Sequence, residues 1–130
     1  MKILCTSNSG SSLSAKHFER GYTPSSAFDL VPGTEYTVYG ICLWRDLLLY
    51  LIVGQGSYPH WDPAELFQVT HPQLPNGWYF AFFGYEVELN AISGYDELVN
   101  RREYFDQLSN LETQALEIFE MRKREIDRSS

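Results

Sequence analysis

Up to Ile92 the apolar residues come in short bursts rich in β-branched and aromatic side chains; beyond it they recur at helical spacing. Lys2 to Thr6 is short and apolar and predicts a first strand. Glu35 to Trp44 alternates in part, Leu47 to Val53 is an unbroken apolar run, and only Arg45-Asp46 separates them. Two such runs around a two-residue polar pair predict a β-hairpin, although the pair is neither Asn-Gly nor Asp-Gly. Leu66 to Thr70 and Trp78 to Phe83 predict further strands, with a Pro- and Gly-containing turn over 72–77 between them. Val31-Pro32-Gly33-Thr34 predicts a type II turn, since Pro sets the first central φ and Gly supplies the positive second one. Ser7 to Ser26 is rich in Ser and Gly and reads as a long surface loop, and Gly54 to Pro63, with two prolines, as another.

After Ile92 the period changes. Ser93 or Gly94 is expected to cap a helix with Asp96 and Glu97 in its first turn and Leu98, Arg102, Phe105 and Leu108 at helical spacing. Ser109-Asn110-Leu111-Glu112 fits a capping box for a second helix, which places Leu111, Ala115, Ile118, Phe119 and Ile126 on one face. The prediction is one α+β domain over 1–130. A small antiparallel, partly open SH3-like barrel of five or six strands (1–92) is followed by one or two C-terminal helices packed on it (93–128).

Length and composition agree with one ordinary core: 130 residues, 44% hydrophobic and 21% charged. Aromatics, at 15%, exceed what a core alone requires, and they are the side chains that anchor interfaces. The net charge of −7 opposes phosphate backbones and anionic lipid, which argues against nucleic acid or membrane as partners. Most of that charge falls within 86–120, where nine carboxylates meet only Arg101 and Arg102, and a basic partner is the natural complement. Cys5 and Cys42 sit in apolar runs without a paired framework and read as reduced core residues. The N-terminal apolar stretch is too short for a secretory leader and Leu47 to Val53 too short to span a bilayer, so the cytoplasm is expected.

The candidate chemistry is sparse. His17, His60 and His71 lack the spacing of a zinc site, and no metal or other cofactor is expected. His60 with Asp62 two residues on has the elements of a general base; local hydrogen bonding in a loop is the favoured reading. Glu86 and Glu88 would share a face if their segment were a strand, either as a carboxylate pair or as charges that guard a sheet edge. Gly54-Gln55-Gly56 lacks the rest of a phosphate loop. An enzyme is therefore not expected. The remaining pattern is aromatic residues interspersed with acids, the anatomy of a protein interface: Asp46, Tyr58, His60, Trp61, Asp62 and Glu65, with Glu86, Glu88, Asp96 and Glu97 on the acidic stretch. Trp44 and Trp78 lie in strands, which favours their burial.

The layout Lys2-Ile3-Leu4-Cys5, Gly21-Tyr22-Thr23, Leu30 to Tyr39, Tyr58-Pro59-His60-Trp61-Asp62-Pro63 to Phe67, and Trp78-Tyr79-Phe80 resembles a set of small bacterial proteins. Some of these are similar to the immunity partners of contact-dependent and polymorphic toxin systems. The resemblance implies a cytosolic, acidic protein that binds and neutralises a cognate toxin domain, often a basic nuclease, by covering its active site. It assigns no residue a role. The alternatives are an SH3-like peptide- or small-ligand-binding regulatory module, with Tyr58, Trp61 and Trp78 forming a groove, and an enzyme using His60 with Asp62 or Glu65.

Overall fold

The structure is a computed structural model that describes residues 1–129. Two antiparallel sheets share its core. β1 (Lys2–Cys5) is the middle strand of the smaller sheet, between β2 (Glu35–Thr37) and β6 (Phe67–His71). The larger sheet runs β5 (Pro59–Pro63), β4 (Leu47–Val53), β3 (Gly40–Trp44), β8 (Leu89–Gly94), β7 (Tyr79–Phe82). Three C-terminal helices follow, α2 (Asp96–Asn100), α3 (Tyr104–Ser109) and α4 (Thr113–Ser129). The architecture is thus α+β and antiparallel, as expected, but it has eight strands among the described residues, in two sheets that do not close on each other.

The organising strand is β4. Its residues alternate between two clusters. Leu47, Leu49 and Leu51 pack with Cys42, Ile92, Leu98, Tyr104, Leu108 and Phe119 under the helices. Tyr50 and Ile52 pack with Ile3, Val38 and Leu66 under the small sheet. A strand covered on both faces has no polar face to show, which is why 47–53 reads as a continuous apolar run. Position 48 has the same parity as 50 and 52, yet Leu48 is exposed: the small sheet does not reach the hairpin end.

The β3–β4 connection is the predicted two-residue hairpin, with Trp44 opposite Leu47. Arg45 (φ 47°) and Asp46 (φ 69°) both take positive φ, the type I′ geometry usually reserved for Asn and Gly. The Thr34 amide donates to the Val31 carbonyl with Gly33 at φ 88°, as the predicted type II turn requires.

Six local expectations are corrected. The run 35–44 is divided at Val38 and Tyr39, where the chain leaves the small sheet for the large one. The segment 59–63 is an edge strand, where prolines are tolerated because their missing donors face away from the ladder. The loop 7–26 contains a 3₁₀ turn at Gly10–Ser12 and a short helix, which we number α1 (Ala15–Phe18), with His17 buried. Ser93 and Gly94 end the inner strand β8 instead of capping a helix. The helix expected from 95 to 108 breaks at Arg101, whose φ and ψ (−99°, 114°) are extended. Ser109 closes α3, and Leu111 lies exposed at φ 55°, outside the α4 stripe formed by Ala115, Phe119 and Ile126. No helix among the described residues is long and apolar enough to cross a membrane.

Gly40 and Gly94 are cross-strand partners, and a Cβ on either would come within 2.6 Å of Leu98 Cδ2. Their bare backbone is the seat on which α2 rests. α2 is then tied to α4 by a two-pronged ion pair, Arg122 Nε to Glu97 Oε1 at 2.7 Å and Nη2 to Oε2 at 3.0 Å, with the Glu97 side chain almost wholly covered. The guanidinium bond holds the Glu97 carboxyl below its usual value against the opposing effect of burial. A depressed carboxyl pKa adds stability above the ordinary range near about 4.3 and loses it as pH falls through the lowered value. Arg122→Ala is expected to cost about 2 kcal/mol at neutral pH, because it strands a covered carboxylate. In urea unfolding series that cost should shrink below about pH 4.

Candidate functional site

The structure distributes the predicted contact residues over three places. The first is the end of the large sheet formed by the β3–β4 turn and the 83–88 loop, with Asn90 at its centre. β8 shifts register against β3 there: Leu43 pairs with Ala91 and Trp44 with Leu89, so Asn90 has no partner on β3. A bulge frees its side chain for other bonds. Its Nδ2 donates to the carbonyls of Gly84 (3.1 Å) and Val87 (2.8 Å), and its Oδ1 accepts from the Asp46 amide (2.8 Å). The Arg45 amide donates to Glu88 O at 2.7 Å, and Gly84 turns the loop at φ 99°. Buried at 2% exposure, Asn90 fastens both connections.

That fastening presents Phe83, Tyr85 and Val87 to solvent, with the Tyr85 ring 5.4 Å from Phe82. Glu86 and Glu88 are exposed beside them, in a bend and not on a strand. With Asp46, Arg20 and Arg45 they line a shallow cleft of about 640 Å³. Asp46 is paired with Lys16 at 3.3 Å, whereas Glu86 and Glu88 make no ion pair among the described residues. Three cations beside three carboxylates make the rim mixed in charge and not simply acidic.

The second place is β5 and the segment after it. Asp62 is buried, with Oδ2 2.7 Å from His60 Nδ1; His60 Nε2 stands 4.0 Å from Asp29 Oδ2, which accepts from the Gly56 amide at 3.0 Å. Gly54 closes this side, where a Cβ would come within 2.6 Å of Nε2. Nε2 is enclosed and makes no hydrogen bond among the described residues. A base must reach its substrate's proton, so the arrangement reads as a clamp between the 28–31 and 54–60 segments. Trp61 packs on Phe105 with ring centroids 5.5 Å apart, and Tyr58 is exposed. Glu65 Oε2 lies 2.9 Å from Nε2 of buried His17, whose Nδ1 is 2.9 Å from Ser14 Oγ. This chain links α1 to the start of β6; sequence reading missed it because its members are 48 positions apart (65 − 17).

The third place is the start of α2. Asp96 bonds Asn100 at 2.8 Å, and Glu97 is consumed by Arg122. The six residues of β8 separate this pair from Glu86 and Glu88 by roughly 20 Å, so the four carboxylates do not share one face. Trp61 and Trp78 likewise belong to opposite edges of the large sheet, one in β5 and the other just before β7. Burial pushes the Cys5 and Cys42 thiols above their ordinary values, which leaves neither as a ready nucleophile.

Comparison with protein-family models, curated proteins and solved structures finds no match to this chain.

Burial opposes protonation of His60, but the hydrogen bond and charge of Asp62, aided by Asp29, overcome it and hold its pKa above the ordinary value. A raised histidine pKa contributes stability that is full below about pH 6.5 and is lost as pH climbs through the raised value. His60→Gln should therefore lower the melting temperature more at about pH 5.5 than at about pH 8.5. An equal loss at both would show that the imidazole acts by packing alone.

Proposed function

We propose that this chain is a non-catalytic protein-binding domain of the immunity type, which captures a cognate, basic, nuclease-type toxin domain. The observation that carries the reading is the 83–88 loop. It places Phe83, Tyr85 and Val87 in solvent while Asn90 and the Arg45 amide hold its backbone from beneath. Apolar anchors on a pre-ordered loop lose little entropy on binding, which distinguishes a recognition surface from a floppy connection. Glu86, Glu88 and Asp46 stand at the rim, where charge sets orientation and salt dependence more than affinity. The net charge of −7 supplies attraction for a basic partner at longer range.

The test has two parts: the gene immediately upstream is expected to encode a large secreted protein with a variable C-terminal domain, and that domain is then co-expressed with this chain. Growth protection is expected, and Tyr85→Ala with Val87→Ser should weaken the purified complex by about 2 kcal/mol, near 30-fold in Kd. Glu86→Lys with Glu88→Lys should slow association and flatten its salt dependence. A purely metabolic gene neighbourhood, or protection indifferent to all four substitutions, overturns the reading.

A second reading, an SH3-like peptide- or small-ligand-binding module with a partly open barrel, is favoured by one feature. A cleft of about 190 Å³ runs beside Trp61, lined also by Leu51, Pro59, His60, Leu108 and Leu111. Titration with proline-rich peptides should then change Trp fluorescence, and Trp61→Phe should abolish the change. A flat titration removes this reading and leaves the first untouched.

A further inference from the structure

Four strands bound the two sheets, and three of them carry features that discourage further pairing. β2 has Glu35, β5 has Pro59, Asp62 and Pro63, and β6 is polar at Gln68, Thr70 and His71. β7, Tyr79-Phe80-Ala81-Phe82, has neither charge nor proline, and it is the most exposed apolar segment of the large sheet. The Phe83 amide donates to Asn90 O at 2.7 Å. In an antiparallel ladder the bonding positions alternate, so Tyr79 and Ala81 also face β8, and the N–H and C=O groups of Phe80 and Phe82 point away from the sheet. Their rings continue an uncovered face: Phe82, Ala91, Leu43 and Leu48 form one cross-strand row, beyond the reach of the small sheet.

We infer that β7 is the interface of a symmetric dimer, in which two copies of this chain pair their β7 strands antiparallel about Ala81. The sequence around that centre is a palindrome, Phe-Ala-Phe, so Phe80 of each copy meets Phe82 of the other. The outward groups of those two residues then form four main-chain hydrogen bonds, and the four phenylalanine rings gather on one face. A two-fold interface requires this kind of self-complementarity. It also requires that no like charges meet at the centre, and β7 has none to bring together despite the chain's −7.

Tyr79, Phe80, Phe82 and Phe83 are 50%, 71%, 56% and 51% exposed. With about 200 Å² for each ring residue, that is about 450 Å² of aromatic surface per copy, before main chain and neighbours are counted. A standard interface buries about 800 Å² per partner and small ones about 600 Å², so the expected dimer is in concentration-dependent exchange and not permanent. Residues 84–88 lie beyond the paired segment and only Phe83, which falls opposite Tyr79 of the other copy, is common to both surfaces, so dimerisation does not depend on the toxin-binding reading.

Multi-angle light scattering on the whole chain, from about 1 µM to about 500 µM, reads the inference directly. The mass should rise from 15.0 kDa towards twice that value. Amide exchange at Phe80 and Phe82 should slow over the same range. Phe80→Lys with Phe82→Lys, the device by which natural edge strands avoid pairing, should hold the mass at 15.0 kDa with an unchanged circular dichroism spectrum. Phe80→Thr with Phe82→Thr serves the same purpose if the lysine pair does not fold. A wild-type mass fixed at the monomer value overturns the inference, as does a dimer that survives the folded variant or leaves the two amides unprotected. None of these outcomes bears on growth protection, which tests the other reading.

Discussion

Everything in this fold hangs on a strand that has to be covered twice. β4 brings Leu49 and Leu51 to one side and Tyr50 and Ile52 to the other, and all four are buried. Burying a large aliphatic side chain is worth about 1.5–3 kcal/mol, so leaving either side wet would forfeit several kcal/mol of a stability that is itself small. The helical layer serves the first side and the small sheet the second. β1 lies centrally in that sheet, and Val38 and Tyr39 carry the chain directly from β2 into β3 to bring the two sheets together. The uncovered face of β3, β8 and β7 follows from the same geometry, because three strands cannot roof five.

Polar groups are used where that arrangement would otherwise fail. A hairpin turn of Arg and Asp at positive φ is a poor local choice, and the structure supports it from outside. Asn90 receives the Asp46 amide, the Glu88 carbonyl receives the Arg45 amide, and the Arg20 guanidinium donates to the Arg45 carbonyl at 3.1 Å. Arg45 also lies over the Trp44 ring at 5.4 Å. A single buried amide therefore couples the turn to the loop that displays Tyr85, and the conformation of one depends on the other. On the helical side, Tyr95 and Tyr104 share a 2.7 Å hydroxyl contact, and the Tyr104 hydroxyl donates to the Ala115 carbonyl. With Glu97–Arg122, this fixes short helices whose own propensity would not hold them.

The parts legible in the sequence were those governed by local rules. The 44–47 hairpin, the turn at Gly33 and the α4 stripe of Ala115, Phe119 and Ile126 follow from spacing and from residues that favour a given φ. What escaped was decided at a distance. β8 reads as a mixed segment because its buried polar member, Asn90, answers to residues 44 and six positions away, and its Gly94 answers to Leu98 packing above it. β5 was hidden by its prolines, which only the knowledge that it is an edge strand makes tolerable. The acidic stretch from 86 to 120 was visible as composition, but folding sends Glu86 and Glu88 to one end of β8 and Asp96 and Glu97 to the other. It then neutralises Glu97 with Arg122, from the basic segment that follows.

That redistribution changes what the charge does. Glu103, Asp106, Glu112, Glu117 and Glu120 make no ion pair among the described residues and lie on or beside α3 and α4. Apart from Tyr58, the most exposed aromatics, Tyr79, Phe80, Phe82, Phe83 and Tyr85, lie on β7 and its loop. Acidic repulsion between copies is thus borne by the helical surface and by Glu86 and Glu88, while β7 itself is free of charge. A chain carrying −7 resists random association through its helices and still leaves one edge on which pairing meets no electrostatic opposition. Segregation of this kind makes contact selective: the helices discourage most encounters, and those that remain are steered to the side where main-chain groups and aromatic rings await a strand or a loop.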